Sequence, residues 1–192
     1  MKTGVPNRIL TPLLRAAALA LLMCTAFSAT AQSALDQRLE KALKNLGFAD
    51  GKMPELKPAF GNYVDSVQVG NLVFLSSAAP QRPDGQFVKG RVPDQVTVDQ
   101  AIVAAKLACV RQVNRMKLVL GDLNRVKRIV FVKGKVLAQA DFTDHTKITD
   151  GCSSFLVEVF GDAGKHARTT EGIISAPFGV TVEVETIIEV GN

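Results

Sequence analysis

Two residues near the end of the chain have the types and setting to do chemistry. Arg168 follows His166-Ala167, precedes Thr169-Thr170 and opens a strand beside apolar Ile173 and Ile174. Glu183 lies 15 residues later in Thr181-Val182-Glu183-Val184-Glu185, after the turn Ala176-Pro177-Phe178-Gly179-Val180. A planar guanidinium in an apolar setting suits two-point capture of a small carboxylate, and a carboxylate on a neighbouring strand would make the pair a candidate working site. The spacing lets the two strands pair through the intervening turn so that the residues approach. It is equally compatible with a partly buried salt bridge at a sheet edge, and spacing alone leaves both open.

Other familiar constellations do not occur in the sequence. There is no zinc-spaced Cys/His cluster, no phosphate-cradling Gly-rich loop and no Gly-x-Ser-x-Gly elbow. His145 falls in a polar helix start and His166 just before a strand, where surface or capping roles account for them. Arg111 and Arg115, one turn apart on a long helix, read as part of a solvated basic face with Arg125, Lys127, Arg128, Lys133 and Lys135. One tyrosine and no tryptophan leave little for bases to stack on, so no nucleic acid is expected as a partner.

The elements that must position the pair begin after an export signal. Lys2, Arg8 and Arg15 form a positive start, Ala16 to Phe27 is apolar but short for a membrane span, and Ala29-Thr30-Ala31 is a small-x-small cleavage site. A signal peptide over 1–31 predicts a periplasmic or secreted protein with no membrane contact after its removal. The 161 residues left are enough for one domain with a core. Losing three basic and no acidic residues brings the formal charge down from +5 by three, so electrostatics give no argument for an anionic surface. Cys109 and Cys152 remain, each on the apolar face of a predicted helix; buried free thiols are the simpler reading, with a bridge the alternative.

Residues 32–60 read as an amphipathic helix from Ser33 to Leu46 followed by a proline-containing linker, and residues 61–192 as the domain proper. Tyr63 to Val69 and Leu72 to Ser77 are strand-like, with Gly70-Asn71 a two-residue hairpin turn. A loop from Pro80 to Asp94 leads to Thr97 and Gln100, a capping box for a helix with Val98, Ile102, Ala105, Cys109, Val113, Met116 and Leu120 on its apolar stripe. A strand over Arg128 to Val136 follows, then a helix from Phe142 to Phe160, which Gly151 could break. Strands over Ala167 to Ser175 and Thr181 to Val190 close the chain. This order predicts an α+β fold, one mixed sheet with two helices packed on one face. The long helix shows no third partner for its remaining apolar area, and the other sheet face is expected to pack on copies of the chain.

Several segments in this order resemble the reactive intermediate (imine) deaminase family, also called YjgF-like, Rid or endoribonuclease L-PSP. They are Gly61-Asn62-Tyr63-Val64, Gly70-Asn71-Leu72-Val73-Phe74-Leu75-Ser76, Gly121-Asp122-Leu123, Asp141-Phe142, Ala167-Arg168, Pro177 and Val182-Glu183-Val184-Glu185. The likeness covers about residues 61 to 190 and is nearest a less characterised branch whose second helix ends in Val157-Glu158-Val159-Phe160-Gly161. It implies a chorismate-mutase-like fold, a homotrimer with clefts between subunits, and hydrolytic deamination of small carboxylated enamines or imines without metal or organic cofactor. Arg168 would then hold the substrate carboxylate, Glu183 would position or activate water, and Tyr63 and Ser76 would line the cleft. A trimer that binds a small carboxylate or a protein partner without turnover is the alternative, and ribonuclease is a third reading, carried only by the older family label. The chain departs from the family pattern at Ser76-Ser77-Ala78-Ala79-Pro80, where Ser-Gly-Gln before a proline is usual, and at Thr170, where many members have cysteine. A reshaped pocket is expected from both.

Overall fold

The Gly70-Asn71 turn closes a hairpin, as glycine's freedom at positive φ allows: Gly70 has φ 59° and Val69 stands opposite Leu72. The strands it joins, β1 (Ser66–Val69) and β2 (Leu72–Ala78), start a five-stranded sheet with β3 (Val126–Leu137), β4 (Ala167–Ile173) and β5 (Val182–Val190). The computed structural model of the protein describes residues 34–56 and 61–191. The proposed signal segment, the Ser33 cap and Pro58 lie outside the described residues.

The spatial order is β1-β2-β5-β3-β4, antiparallel throughout except for the parallel pair β3–β4. This corrects the expected pairing of the last two strands. The segment between them does not make a hairpin: β4 takes the outer edge beside β3, and β5 runs back between β3 and β2. The alternation of β5 shows why. Val182, Val184, Thr186, Ile188 and Val190 are buried while the residues between them are half-exposed, the pattern of a central strand with one face on a core.

Helices α2 (Val98–Leu120) and α3 (His145–Phe160) cover that face. The capping box of α2 forms as its sequence predicts, with the Gln100 N–H donating to Thr97 Oγ1 at 3.2 Å and the Thr97 N–H donating to Gln100 Oε1 at 3.0 Å. Thr97→Ala is expected to cost about 1 kcal/mol, which thermal unfolding would register as a fall in Tm of about 2–4 °C. Helix α3 starts three residues later than expected; Phe142 precedes it and packs edge-on against His145, centroids 5.1 Å apart. The helix runs unbroken through Gly151. Cys109 and Cys152, both fully buried, are joined as a disulfide between α2 and α3, with Cα atoms 5.4 Å apart, in place of the free thiols that the simpler reading favoured.

A third helix, α1 (residues 34–45), does cover the remaining apolar area of α2. Its stripe of Leu35, Leu39, Ala42 and Leu43 joins the main core, the Arg38 Nε–H donates to the Val159 carbonyl of α3 at 2.8 Å, and Asn114 of α2 donates to the Pro54 carbonyl. The N-terminal segment therefore lies on the helix layer, where its four apolar side chains find partners, and not along a sheet edge. With α1 in place, α2 is buried on almost every side; Arg111 and Arg115, which reach the carbonyls of Ala79, Ser76 and Ser77 on its other side, are 6% and 5% exposed. The solvated basic face expected there is not formed by these two arginines.

Candidate active site

A bulge in β2 builds the site. Leu75 stands opposite Thr186 and Ala78 opposite Val184, so Ser76 and Ser77 fall outside the regular ladder with β5. Their carbonyls need other donors. Gln112 of α2, wholly buried, donates through Nε2 to Ser76 O at 3.0 Å and to Val184 O, and its Oε1 accepts from Thr186 Oγ1 at 3.2 Å. Arg115 donates through Nη1 to Ser76 O at 2.7 Å and Ser77 O at 2.8 Å. Its Nε lies 3.0 Å from Asp65 Oδ1, an ion pair without hydrogen-bond alignment. Arg115 is thus a buried brace for the bulge.

Beside the bulge is a cavity of about 690 Å³. Tyr63, Ser76 and Ser77 line it from the β1–β2 side, Arg111 and Arg115 from α2, and Glu183 from β5. The Pro80–Asp94 loop contributes Phe87 and Lys89 and is fastened by a bridge between Lys89 and Val180 and by the Gly90 N–H donating to Gly179 O at 3.0 Å. Pro177 and Phe178 complete the wall; Phe178 has φ 57°, a conformation that costs a bulky residue energy and clusters at functional sites.

Arg111 sits differently from Arg115. Its Nη1 donates to the Ala79 carbonyl at 3.2 Å and its guanidinium carbon stands 5.2 Å from the Phe87 ring centroid, but its buried Nε has no hydrogen-bond partner. Burial pulls its pKa below the ordinary arginine value and Arg115 adds to this, with Asp65 and Tyr63 opposing. Ser77 Oγ is likewise buried without a partner. Across the cavity, burial raises the pKa of Glu183 above the usual carboxylate value, the positive charge of Lys135 opposes the rise, and Glu185 adds to it. Lys135 is ion-paired to Glu185, whose hydrogen bond raises the lysine's own pKa.

Of the residues singled out in the sequence, Glu183, Tyr63 and Ser76 are brought together here and Arg168 is not. Arg168 is level with Val132 and Thr186, whose side chains face the helices, whereas Glu183 is level with Lys135 on the opposite face and two strands away. Arg168 Nη1 donates to Asp150 Oδ1 at 2.6 Å and to Ser153 Oγ at 2.9 Å, both on α3. Ser153 Oγ also meets His166 Nε2 at 3.0 Å, and His166 Nδ1 lies 2.6 Å from the Gly164 carbonyl. Burial lowers the His166 pKa, with the Gly164 carbonyl opposing and Arg168 adding to the fall. His166 therefore belongs to the bracket that holds Arg168. Sequence reasoning missed Arg111, Ser77, Phe87 and Lys89. A usable signal was helical spacing: Arg111 follows Ala104 and Ala108 at i+7 and i+3, on the face of small apolar residues that also holds Ala101 and Ala105, and away from Lys106 and Lys117. Among the described residues no three His, Cys, Asp or Glu side chains converge as metal ligands.

Comparison with known proteins places most of the chain in a family. Residues 44–182 match the family model described as "YjgF/chorismate mutase-like, putative endoribonuclease". The chain is 33% identical over 156 residues to Protein TCP17 of Trypanosoma cruzi, covering 81% of this chain and 96% of that protein. Among solved structures, Atu1372 from Agrobacterium tumefaciens, a protein of unknown function, is 31% identical with a TM-score of 0.70 over 82% of this chain and 96% of its own. A Shewanella oneidensis protein with the same endoribonuclease description is 28% identical with a TM-score of 0.72, covering 79% and 98%.

Proposed function

Because the chain belongs to the YjgF/chorismate mutase-like family, with that family's α+β fold, we propose that it hydrolyses small carboxylated imines or enamines to the keto acid and ammonia. The observation that carries this reading is Glu183, half-buried in the wall of a cavity that also holds cations, with its pKa raised by burial. An imine carbon is already electrophilic, so a site need only fix the substrate and orient a water. The Glu183 carboxylate takes a proton from that water as its oxygen bonds to the imine carbon. That proton goes to the nitrogen, giving a carbinolamine; the same carboxylate then passes the hydroxyl proton to the nitrogen as the C–N bond breaks, and ammonia leaves a C=O group behind. The sequence is redox neutral.

Arg168 as the carboxylate anchor constrains the assembly. Within one chain it lies on the opposite sheet face from Glu183, so the two meet on one substrate only if two copies each supply one. That requirement supports a homotrimer with its sites in the clefts between subunits. Asp150 and Ser153 hold the guanidinium at the face it would present. The Cys109–Cys152 disulfide supports export to the periplasm or beyond, since such bonds persist in oxidising compartments.

The test is ammonia release from freshly generated imino acids of two to six carbons, with Arg168→Ala run beside the wild type. Turnover that falls about tenfold to hundredfold in the variant is the expected result. A folded, trimeric wild type without turnover overturns the deaminase reading and leaves a carboxylate-binding protein.

A further inference from the structure

We infer that the cavity selects substrates with a second carboxylate, bound by Arg111 and Ser77, so that the preferred imines are those of dicarboxylic keto acids. The inference rests on the deaminase reading and concerns a different residue pair. Arg111 and Arg115 share the single carboxylate of Asp65, which lies against Arg115. Arg115 is further occupied by two backbone carbonyls, whereas Arg111 has one carbonyl and an aromatic face. Glu183 does not neutralise it: no ion pair joins them among the described residues, and the charge that opposes the raised pKa of Glu183 is Lys135. A cation 6% exposed with one acid shared between two is an anion site in waiting.

Two buried orphan atoms give the site its shape. Arg111 Nε and Ser77 Oγ belong to residues that line the same cavity, and neither has a hydrogen-bond partner. A guanidinium whose Nη1 is held by Ala79 and whose Nε is buried without a partner has donors left for a planar carboxylate, with the equally unpartnered serine hydroxyl as a further donor. Lys89 adds positive charge at the rim. The first carboxylate goes to Arg168 of the neighbouring copy, the second to Arg111 and Ser77, and the reacting carbon to Glu183. About 690 Å³ is ample for a four-carbon diacid.

The experiment compares the imines of oxaloacetate and pyruvate, identical at the reacting carbon and different in the second carboxylate. Wild type should show a kcat/KM at least about tenfold higher for the dicarboxylic imine, a ratio that Arg111→Gln brings towards unity, chiefly through KM. Equal kcat/KM values in the wild type, or a ratio unchanged in Arg111→Gln, would overturn the inference. Calorimetric titration with the keto acids themselves separates this from the deaminase reading. If neither imine is hydrolysed, tighter binding of oxaloacetate than pyruvate that disappears in Arg111→Gln still upholds the second site. Equal binding, or tighter binding of inorganic phosphate than of oxaloacetate, rejects it. Should Arg111→Gln fail to fold, as judged by circular dichroism, Ser77→Ala replaces it, with a smaller fall in the same ratio expected.

Discussion

Glu183→Gln is expected to lower kcat for imine hydrolysis by about 10²–10⁴, the range spanned by loss of a positioned proton carrier. Glutamine keeps the shape and a hydrogen bond but cannot take a proton from water. The pH profile makes the prediction specific. Burial raises the pKa of Glu183, the Lys135 charge opposes the rise, and Glu185 reinforces it. The working form is the carboxylate, so activity is present above this raised pKa and is lost as pH falls through it. The acid limb of kcat/KM should therefore lie above the ordinary value of 4.5. Lys135→Met, which removes the opposing charge, should move the limb further up. Steady-state rates across the acid range decide it, and an acid limb that survives unchanged in Glu183→Gln would assign the titration to another group.

The fold was legible where one periodicity governed one element. Thr97 and Gln100 mark the start of α2, Gly70-Asn71 marks the hairpin, and the alternation of β5 identifies a strand with one buried face, all from local chemistry. The site was half legible for a physical reason. Glu183, Tyr63 and Ser76 converge because hairpin and central strand follow those local rules. The relation of Arg168 to Glu183 depends on which strand enters between β2 and β3, a non-local choice. Once β5 takes that place and β4 pairs parallel to β3, the strand registers put Arg168 level with Val132 and Glu183 level with Lys135, on opposite faces. Arg111 and Arg115 were misread for a related reason. Their burial comes from the β2 bulge, whose freed carbonyls need donors, and from Phe87 of the following loop, whose ring stands against Arg111. Neither leaves a mark at position 111 or 115 itself.

Gly151 shows how large such a non-local constraint can be. By helix propensity it is a weak point, since glycine costs about 1 kcal/mol relative to alanine in a helix interior, so the sequence allows a break there within the expected helix. The helix instead continues, because α3 crosses α2 at this residue so closely that a Cβ would stand 2.3 Å from the Ile102 carbonyl oxygen and 3.1 Å from its carbon. Backbone cannot rotate aside as a side chain can, and the Cys109–Cys152 disulfide, one residue along, prevents the helices from separating to make room. Overpacking of this kind costs about 1–3 kcal/mol and occasionally more. Gly151→Ala should therefore destabilise despite its better propensity, and Gly151→Val, bulkier and β-branched, should cost about 3 kcal/mol or more. At about 2–4 °C per kcal/mol for a domain of this size, the valine variant should lose on the order of 10 °C in Tm. Thermal unfolding under non-reducing conditions tests the close approach directly. An alanine variant as stable as the wild type would mean that α2 and α3 stand further apart at this crossing, and that Gly151 is in the helix for some reason other than contact with Ile102.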